Sequence, residues 1–333
     1  MRVELAYGRT GLSLDLPGDL PVTVIEPRFV LGLPDERAAI TAALRSPLSG
    51  PPLRALVHPN DTVVVVFSDL TRPMPNDRVL PPLLCELEAA GVSDDQITLL
   101  NALGTHRIQT EAELRHMLGP SIATRYRILQ HDAWATEGLV EIGRNRLGHR
   151  VRISRAYMEA TVRVLTGFIE PHFFAGFSGG PKAVLPGLAD AEAILDNHGP
   201  RMLAHPAATW AETDDNPVWL EMLEFARRSR PSFLVNVTLN RERQLTGVFA
   251  GNLTEAHCAG VAFACRTALQ PVPRRFDVVI TSNSGYPLDL NLYQAVKGMS
   301  AAARIVRQGG DIILAAECWD CLLYTSPSPR DLR

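Results

Sequence analysis

The sequence predicts an α/β protein built as two α/β domains with a cleft between them, the second incomplete in this chain. Three observations carry that expectation. Apolar runs of strand length at residues 61–67, 96–100 and 162–165 alternate with helix-length amphipathic segments, the layout of a parallel sheet buried on both faces. Each run ends in a loop bearing polar or ionisable residues, as ligand-binding loops at the carboxyl ends of such strands do. A Pro-rich stretch, Gln270-Pro-Val-Pro-Arg-Arg275, then precedes a fresh strand signal at 276–282. The boundaries expected are 1–270 as a first α/β domain, 271–320 as the start of a second, C-terminal one, and 321–333 as a tail of different character.

Bulk properties exclude several classes. At 333 residues with 46% hydrophobic content, the chain is long enough for two ordinary cores. A net charge of −3 and scattered Lys and Arg argue against a nucleic-acid partner. No apolar run reaches the roughly 18 residues of a membrane span, and the opening Met1-Arg-Val-Glu lacks a signal-peptide layout, so the expected location is cytoplasmic, off any membrane. Five cysteines make no disulfide framework, and Cys318-Trp-Asp-Cys321 has no second pair at zinc spacing.

Taken in order, residues 2–26 alternate around glycines and prolines, which predicts short antiparallel strands. Residues 34–45 form a helix with proline and acids in its first turn. After the four-valine strand comes Ser68-Asp69-Leu-Thr71-Arg72-Pro-Met-Pro75, whose prolines bar an immediate helix and allow Asp69 and Arg72 to face one pocket. There an Arg fork would suit a carboxylate or phosphate, although an Asp cap beside a solvated Arg fits the same residues. A helix at 80–90 and a strand at 96–100 lead to Asn101-Ala-Leu-Gly104-Thr105-His106-Arg107, then to a capping box from Thr110 to Glu113. His106 alone reads equally as catalyst or loop packing; its place at a strand end favours the former.

Residues 124–166 are strand-rich, and His58, His116, His131 and His149 lie in no strand-end or Gly-rich context, so they read as structural. The central loop is Thr166-Gly-Phe-Ile-Glu-Pro-His172-Phe-Phe-Ala-Gly176-Phe-Ser178-Gly179-Gly180-Pro-Lys182. Its glycines allow positive φ and close ligand approach, while His172 and Lys182 supply proton transfer and nucleophilic or cationic chemistry. Pro181 and Ala183 around Lys182 rule out a Walker loop. A short helix at 189–198 ends in His198, a metal ligand or a residue favoured by the helix dipole. Further on, helices at 216–228 and 254–269 flank strands at 233–239 and 245–249. A last helix, 291–307, carries Tyr293, Gln294 and Lys297, with Tyr293 and Lys297 on one face.

Taken together, Ser68-Asp69-Leu-Thr71-Arg72-Pro, Leu103-Gly104-Thr105-His106-Arg107, the His172 to Lys182 loop, His198 and Tyr293-Gln294-Ala-Val-Lys297-Gly298 resemble the lactate racemase family. The resemblance runs in order from about residue 1 to Asp320. It implies an isomerase that inverts the hydroxyl-bearing carbon of a 2-hydroxy acid. It also implies a nickel-pincer nucleotide, of the pyridinium-3-thioamide-5-thiocarboxylate mononucleotide type, joined covalently to Lys182 and delivered by cofactor-synthesis proteins. Nickel would be held by that cofactor and by His198, and Thr71, Gly176, Ser178, Gly179 and Gly180 would contact the nucleotide.

On the same resemblance, the α-hydrogen moves as hydride and leaves a flat 2-keto acid. His106 and His172 would handle the hydroxyl proton on opposite sides, Arg72 would polarise the oxygen with Asp69 in support, Gln294 and Lys297 would hold the carboxylate, and Tyr293 would also bind substrate. Two departures stand beside it. The family continues beyond residue 320, whereas residues 321–333 read as foreign sequence, and residues 271–320 carry only about two strands and one helix. A nickel-free α/β enzyme that uses the Gly176 to Lys182 loop for a phosphorylated or nucleotide substrate remains the alternative.

Overall fold

The computed structural model describes residues 1–135 and 137–319; the foreign-looking tail lies outside the described residues. They form a mixed α/β protein of two compact units, one of residues 28–70 and 74–269, the other of residues 1–27, 71–73 and 270 onward.

The second unit contains the chain's first hairpin, β1 (Arg2–Leu5) and β2 (Leu12–Asp15), paired antiparallel. The larger unit opens with α1 (Glu36–Arg45), whose Asp35 cap accepts from the Ala38 amide. The valine run becomes β3 (Val63–Ser68), and its side chains divide between two cores as the strand period of two requires. Val63, Val65 and Phe67 pack with Ile40, Leu83 and Leu87; Val64 and Val66 pack with Tyr157, Met222 and Phe225.

The next helix starts earlier than the prolines suggested. It is α2 (Asn76–Ala89), with Pro75 at the N-cap and Pro81 and Pro82 inside. Proline before the first turn forfeits no ladder donor, and burial of Leu80, Pro82, Leu83 and Leu87 carries the helix through the two missing ones. There follow β4 (Ile97–Ala102), α3 (Glu111–Leu118) with its Thr110–Glu113 capping box, α4 (Pro120–Arg125) and β5 (Arg127–Gln130). A separate antiparallel pair, β6 (Leu139–Arg144) and β7 (Arg150–Ser154), leads through α5 (Arg155–Glu159) to β8 (Val162–Phe168).

Beyond β8 the central loop folds as a two-residue-per-strand hairpin, β9 (Pro171–His172) and β10 (Gly176–Phe177), then a 3-10 turn at Gly180–Ala183. Then come α6 (Ala191–Asn197), α7 (Pro200–Leu203), α8 (Pro217–Arg228), β11 (Phe233–Leu239), β12 (Leu245–Gly251) and α9 (Leu253–Ala268). The main sheet runs β12-β11-β8-β3-β4-β5, parallel except for β12. The loops after β3, β4 and β8 therefore leave adjacent strands at one edge.

In the second unit β13 (Phe276–Ser282) pairs in parallel with β14 (Val306–Ala315), linked by α10 (Leu292–Ala303). The helix expected to reach residue 307 stops at Ala303, since the chain must turn before Val306 enters the sheet.

Candidate functional site

Register decides which loops meet. Ser68 at the end of β3 pairs with Ala102 at the end of β4, so the next residues of both chains emerge side by side. Asp69 is buried there, and its Oδ2 lies 2.5 Å from His106 Nδ1. A carboxylate at that distance fixes the ring with its proton on Nδ1, directing the Nε2 lone pair elsewhere. Asn76 Nδ2 donates to the Ser68 carbonyl at 3.0 Å and tethers the loop before Asp69.

The His106 loop also touches the stretch after Lys182. The Gly104 amide donates to Gly187 O at 3.0 Å, with Gly104 at φ +55°. Within the central loop the Gly187 amide donates to the Lys182 carbonyl at 3.1 Å, and the Lys182 amide to Gly179 O at 3.1 Å. The turn carrying Lys182 is thereby tied at both ends.

His172 is buried within its tiny hairpin, and Nδ1 accepts from the Phe174 and Ala175 amides at 3.3 and 3.2 Å. Two amide donors on Nδ1 leave the neutral ring's proton on Nε2. His106 and His172 are thus set in opposite tautomers.

The glycines and Ser178 are closely packed against protein atoms. Ser178 Oγ donates to Phe168 O at 2.8 Å and accepts from the Glu170 amide at 2.9 Å. At Gly176, with φ +75°, a Cβ would stand 2.0 Å from Glu212 O, and at Gly179 2.9 Å from Asn236 Oδ1. Close packing against protein atoms accounts for their identity. His198 caps the carboxyl end of α6, with its amide donating to Ile194 O at 2.9 Å.

The remaining candidates belong to the second unit. Thr71 and Arg72 group there, as does α10. On that helix Gln294 is buried and its Oε1 accepts from Lys297 Nζ at 2.7 Å, whereas Tyr293 is exposed. His131 is buried against the Ala189 carbonyl at 2.8 Å, and the exposed His149 lies 2.7 Å from Asp196 Oδ2. Sequence reasoning missed two residues beneath the central loop. Asn236 Oδ1 accepts from the Gly180 amide at 2.9 Å, and His257 Nε2 lies 3.0 Å from Ser178 O. The one signal in the sequence was a histidine three residues before Gly260 on the apolar face of the helix at 254–269.

The lactate racemase N-terminal domain model matches residues 7–211 and the lactate racemase C-terminal domain model residues 272–322. The lactate racemase of Thermoanaerobacterium thermosaccharolyticum is 35% identical over 321 residues, 96% of this chain and 75% of that protein. This chain belongs to the lactate racemase family. The lactate racemase of Lactiplantibacillus plantarum is 36% identical over 286 residues, 86% of this chain and 67% of that protein. The apoprotein structure of the Thermoanaerobacterium enzyme superposes with a TM-score of 0.88 over 96% of this chain and 75% of that one. As a member of the lactate racemase family the chain is an isomerase of the racemase type. The N-terminal match spans Asp69, His106, His172, Lys182 and His198; the C-terminal match spans Tyr293, Gln294 and Lys297.

The donor set can be weighed against a nickel-bearing nucleotide. Among the described residues no group of three or more His, Cys, Asp or Glu side chains could hold a metal ion. A nickel here would need most of its donors from a cofactor, and a single imidazole such as His198 suits that division. Lys182, on a turn tied at both ends, offers the amine for attachment. The residues fit the group. No helix among the described residues is long and apolar enough to cross a membrane.

Proposed function

We propose that this chain racemises lactate or a closely related 2-hydroxy acid with a nickel-pincer nucleotide carried on Lys182 and His198. The observation that carries the reading is the Asp69–His106 pair, set on a loop whose Gly104 amide is bonded to Gly187, next to the Lys182 turn. When bound, the nucleotide would supply the acceptor and donor for the substrate's α-hydrogen.

The chain's own residues handle the proton and the anion. With Nδ1–H held by Asp69, His106 accepts the substrate hydroxyl proton at Nε2, and the carboxylate stabilises the imidazolium that forms. His172, with its hydrogen on Nε2, is set to donate a hydrogen bond to the oxygen of a keto acid and hold it without giving up the proton. One histidine takes the hydroxyl proton, and the other holds the oxygen. On the family resemblance, Arg72 would act on the reacting oxygen and Gln294 with Lys297 on the carboxylate. Transient partners are the proteins that build and load the cofactor.

The experiment is intact mass, nickel content and lactate racemisation of the chain co-expressed with the cofactor-synthesis proteins, with peptide mapping at Lys182. A nucleotide-sized adduct on Lys182, near-stoichiometric nickel and interconversion of both enantiomers are expected. An unmodified Lys182 in a protein that turns over a phosphorylated substrate would replace this reading with the nickel-free one.

A further inference from the structure

Beneath the central loop lies a buried ionisable group to which the reaction assigns no task. His257, on α9, is 1% exposed. Its Nε2 sits 3.0 Å from the Ser178 carbonyl, an acceptor only, so Nε2 carries the hydrogen and donates it. Among the described residues Nδ1 is buried with no hydrogen-bond partner. Burial pushes the imidazolium down to about 4, partly offset by the bond to Ser178, so the ring is neutral at physiological pH.

The ring is also a steric template. Gly180 sits at φ +49°, and a Cβ there would lie 2.0 Å from His257 Cδ2, so loop backbone and imidazole are in direct contact. From its other neighbour the ring meets Trp219 of α8, centroids 4.9 Å apart at 42°. Three residues along α9, Gly260 brings the helix against Ile169, where a Cβ would stand 2.2 Å from Cδ1. The adjoining anchor is Asn236 of β11, fully buried, accepting from the Gly180 amide at 2.9 Å. Ser178 and Gly180, just before Pro181-Lys182, are therefore gripped from below by a neutral histidine donor and an amide acceptor.

A buried apolar side chain would fill the same space without leaving an unpartnered nitrogen, which alone disfavours the folded state. The retained imidazole thus points to a role that apolar packing cannot supply. We infer that His257 is a positioning residue: through the Ser178 carbonyl and the underside of Gly180 it fixes the turn that presents the Lys182 amine. Its bearing on cofactor attachment rests on the racemase reading above; its hold on the turn does not.

The test uses hydrogen–deuterium exchange on the chain without cofactor, in wild type, His257→Leu and His257→Gln. Leucine removes the donor at similar volume, and glutamine keeps an N–H donor near the Nε2 position. In the leucine variant the amides of Gly180 and Lys182 exchange about tenfold faster, the scale of losing one buried hydrogen bond, while peptides from β3 and β4 are unchanged. Glutamine restores exchange to within about twofold of wild type, a rescue that loss of packing alone would not show. A folded leucine variant with wild-type exchange in the turn overturns the inference.

Should the leucine variant not fold, nitrogen NMR of the wild-type histidines decides. A neutral Nε2–H ring at about pH 5.5 supports the assignment, and an Nδ1–H or protonated ring overturns it. Neither measurement involves nickel or nucleotide. Failure of the racemase reading would show separately, as an unmodified Lys182 in wild-type protein exposed to the cofactor-synthesis machinery.

Discussion

Asp69 Oδ2 and His106 Nδ1 stand 2.5 Å apart, across 37 residues of sequence, because Ser68 and Ala102 pair at the ends of neighbouring parallel strands. The carboxylate is buried and the imidazole partly exposed, so the pair holds one nitrogen fixed while the rest of the ring reaches the surface. Asp69→Asn keeps the shape and removes the charge. The expected result is a fall in kcat of about 10²-fold or more for both enantiomers, with KM changed little. Wild-type kcat in the variant would remove Asp69 from the mechanism.

The two histidines should differ before any substrate binds. Nitrogen NMR is expected to show His106 as the Nδ1–H tautomer on Asp69 and His172 as the Nε2–H tautomer beneath the Phe174 and Ala175 amides. Glutamine at either position should abolish racemisation in both directions, since the cycle needs both the base at His106 and the oxygen held by His172. Full activity in either variant refutes the two-histidine role.

Acid should weaken the fold in a defined window. His257 binds its proton less readily folded, at about 4, than unfolded, near 6.5. Below pH 6.5 the unfolded chain therefore takes up more protons, and stability declines as pH falls from about 6.5 to 4, by on the order of 3 kcal/mol for this group. Burial pushes His131 in the same direction. Above that window neither adds a pH dependence. Urea unfolding at successive pH values should show the slope in wild type and a shallower one in His257→Gln; identical slopes would contradict it.

Glycine substitutions should separate packing from backbone strain. Gly119 has φ +81° and ψ +151°, a region essentially confined to glycine, and a Cβ added there would meet nothing within 4 Å, so Gly119→Ala should cost backbone strain alone, on the order of 1–3 kcal/mol. Gly180→Ala, at φ +49°, adds to its own backbone strain a Cβ 2.0 Å from His257 Cδ2, a clash that should cost roughly 1–3 kcal/mol besides. Equal losses in thermal unfolding would mean that the loop gives way without resistance.

Lys182→Arg keeps a cation and removes the primary amine that a covalent adduct needs. The expected outcome is no nucleotide mass on the 180–187 peptide, loss of bound nickel and loss of turnover, with thermal stability near wild type. An adduct that persists on that peptide would move the attachment point elsewhere.

By itself the sequence determined the alternation of strands and helices, because strand period, buried valine runs and capping boxes are local and leave direct marks. It also marked the loops past the apolar runs, and with them the candidates Asp69, His106, His172 and Lys182. Pro75 misled about the start of α2, since a proline that breaks a helix interior is equally at home just before one. Only the tertiary structure decided that Asp69 grips His106, that the Gly104 loop is bonded to Gly187, and that Gly176 and Gly179 pack against Glu212 and Asn236. Asn236 and His257 came to light only there, lying 56 and 79 residues from Gly180 and Ser178, the groups they hold. Such pairings depend on strand register and helix docking, which bring distant residues to one edge of the sheet, and no local pattern records where the far partner will land.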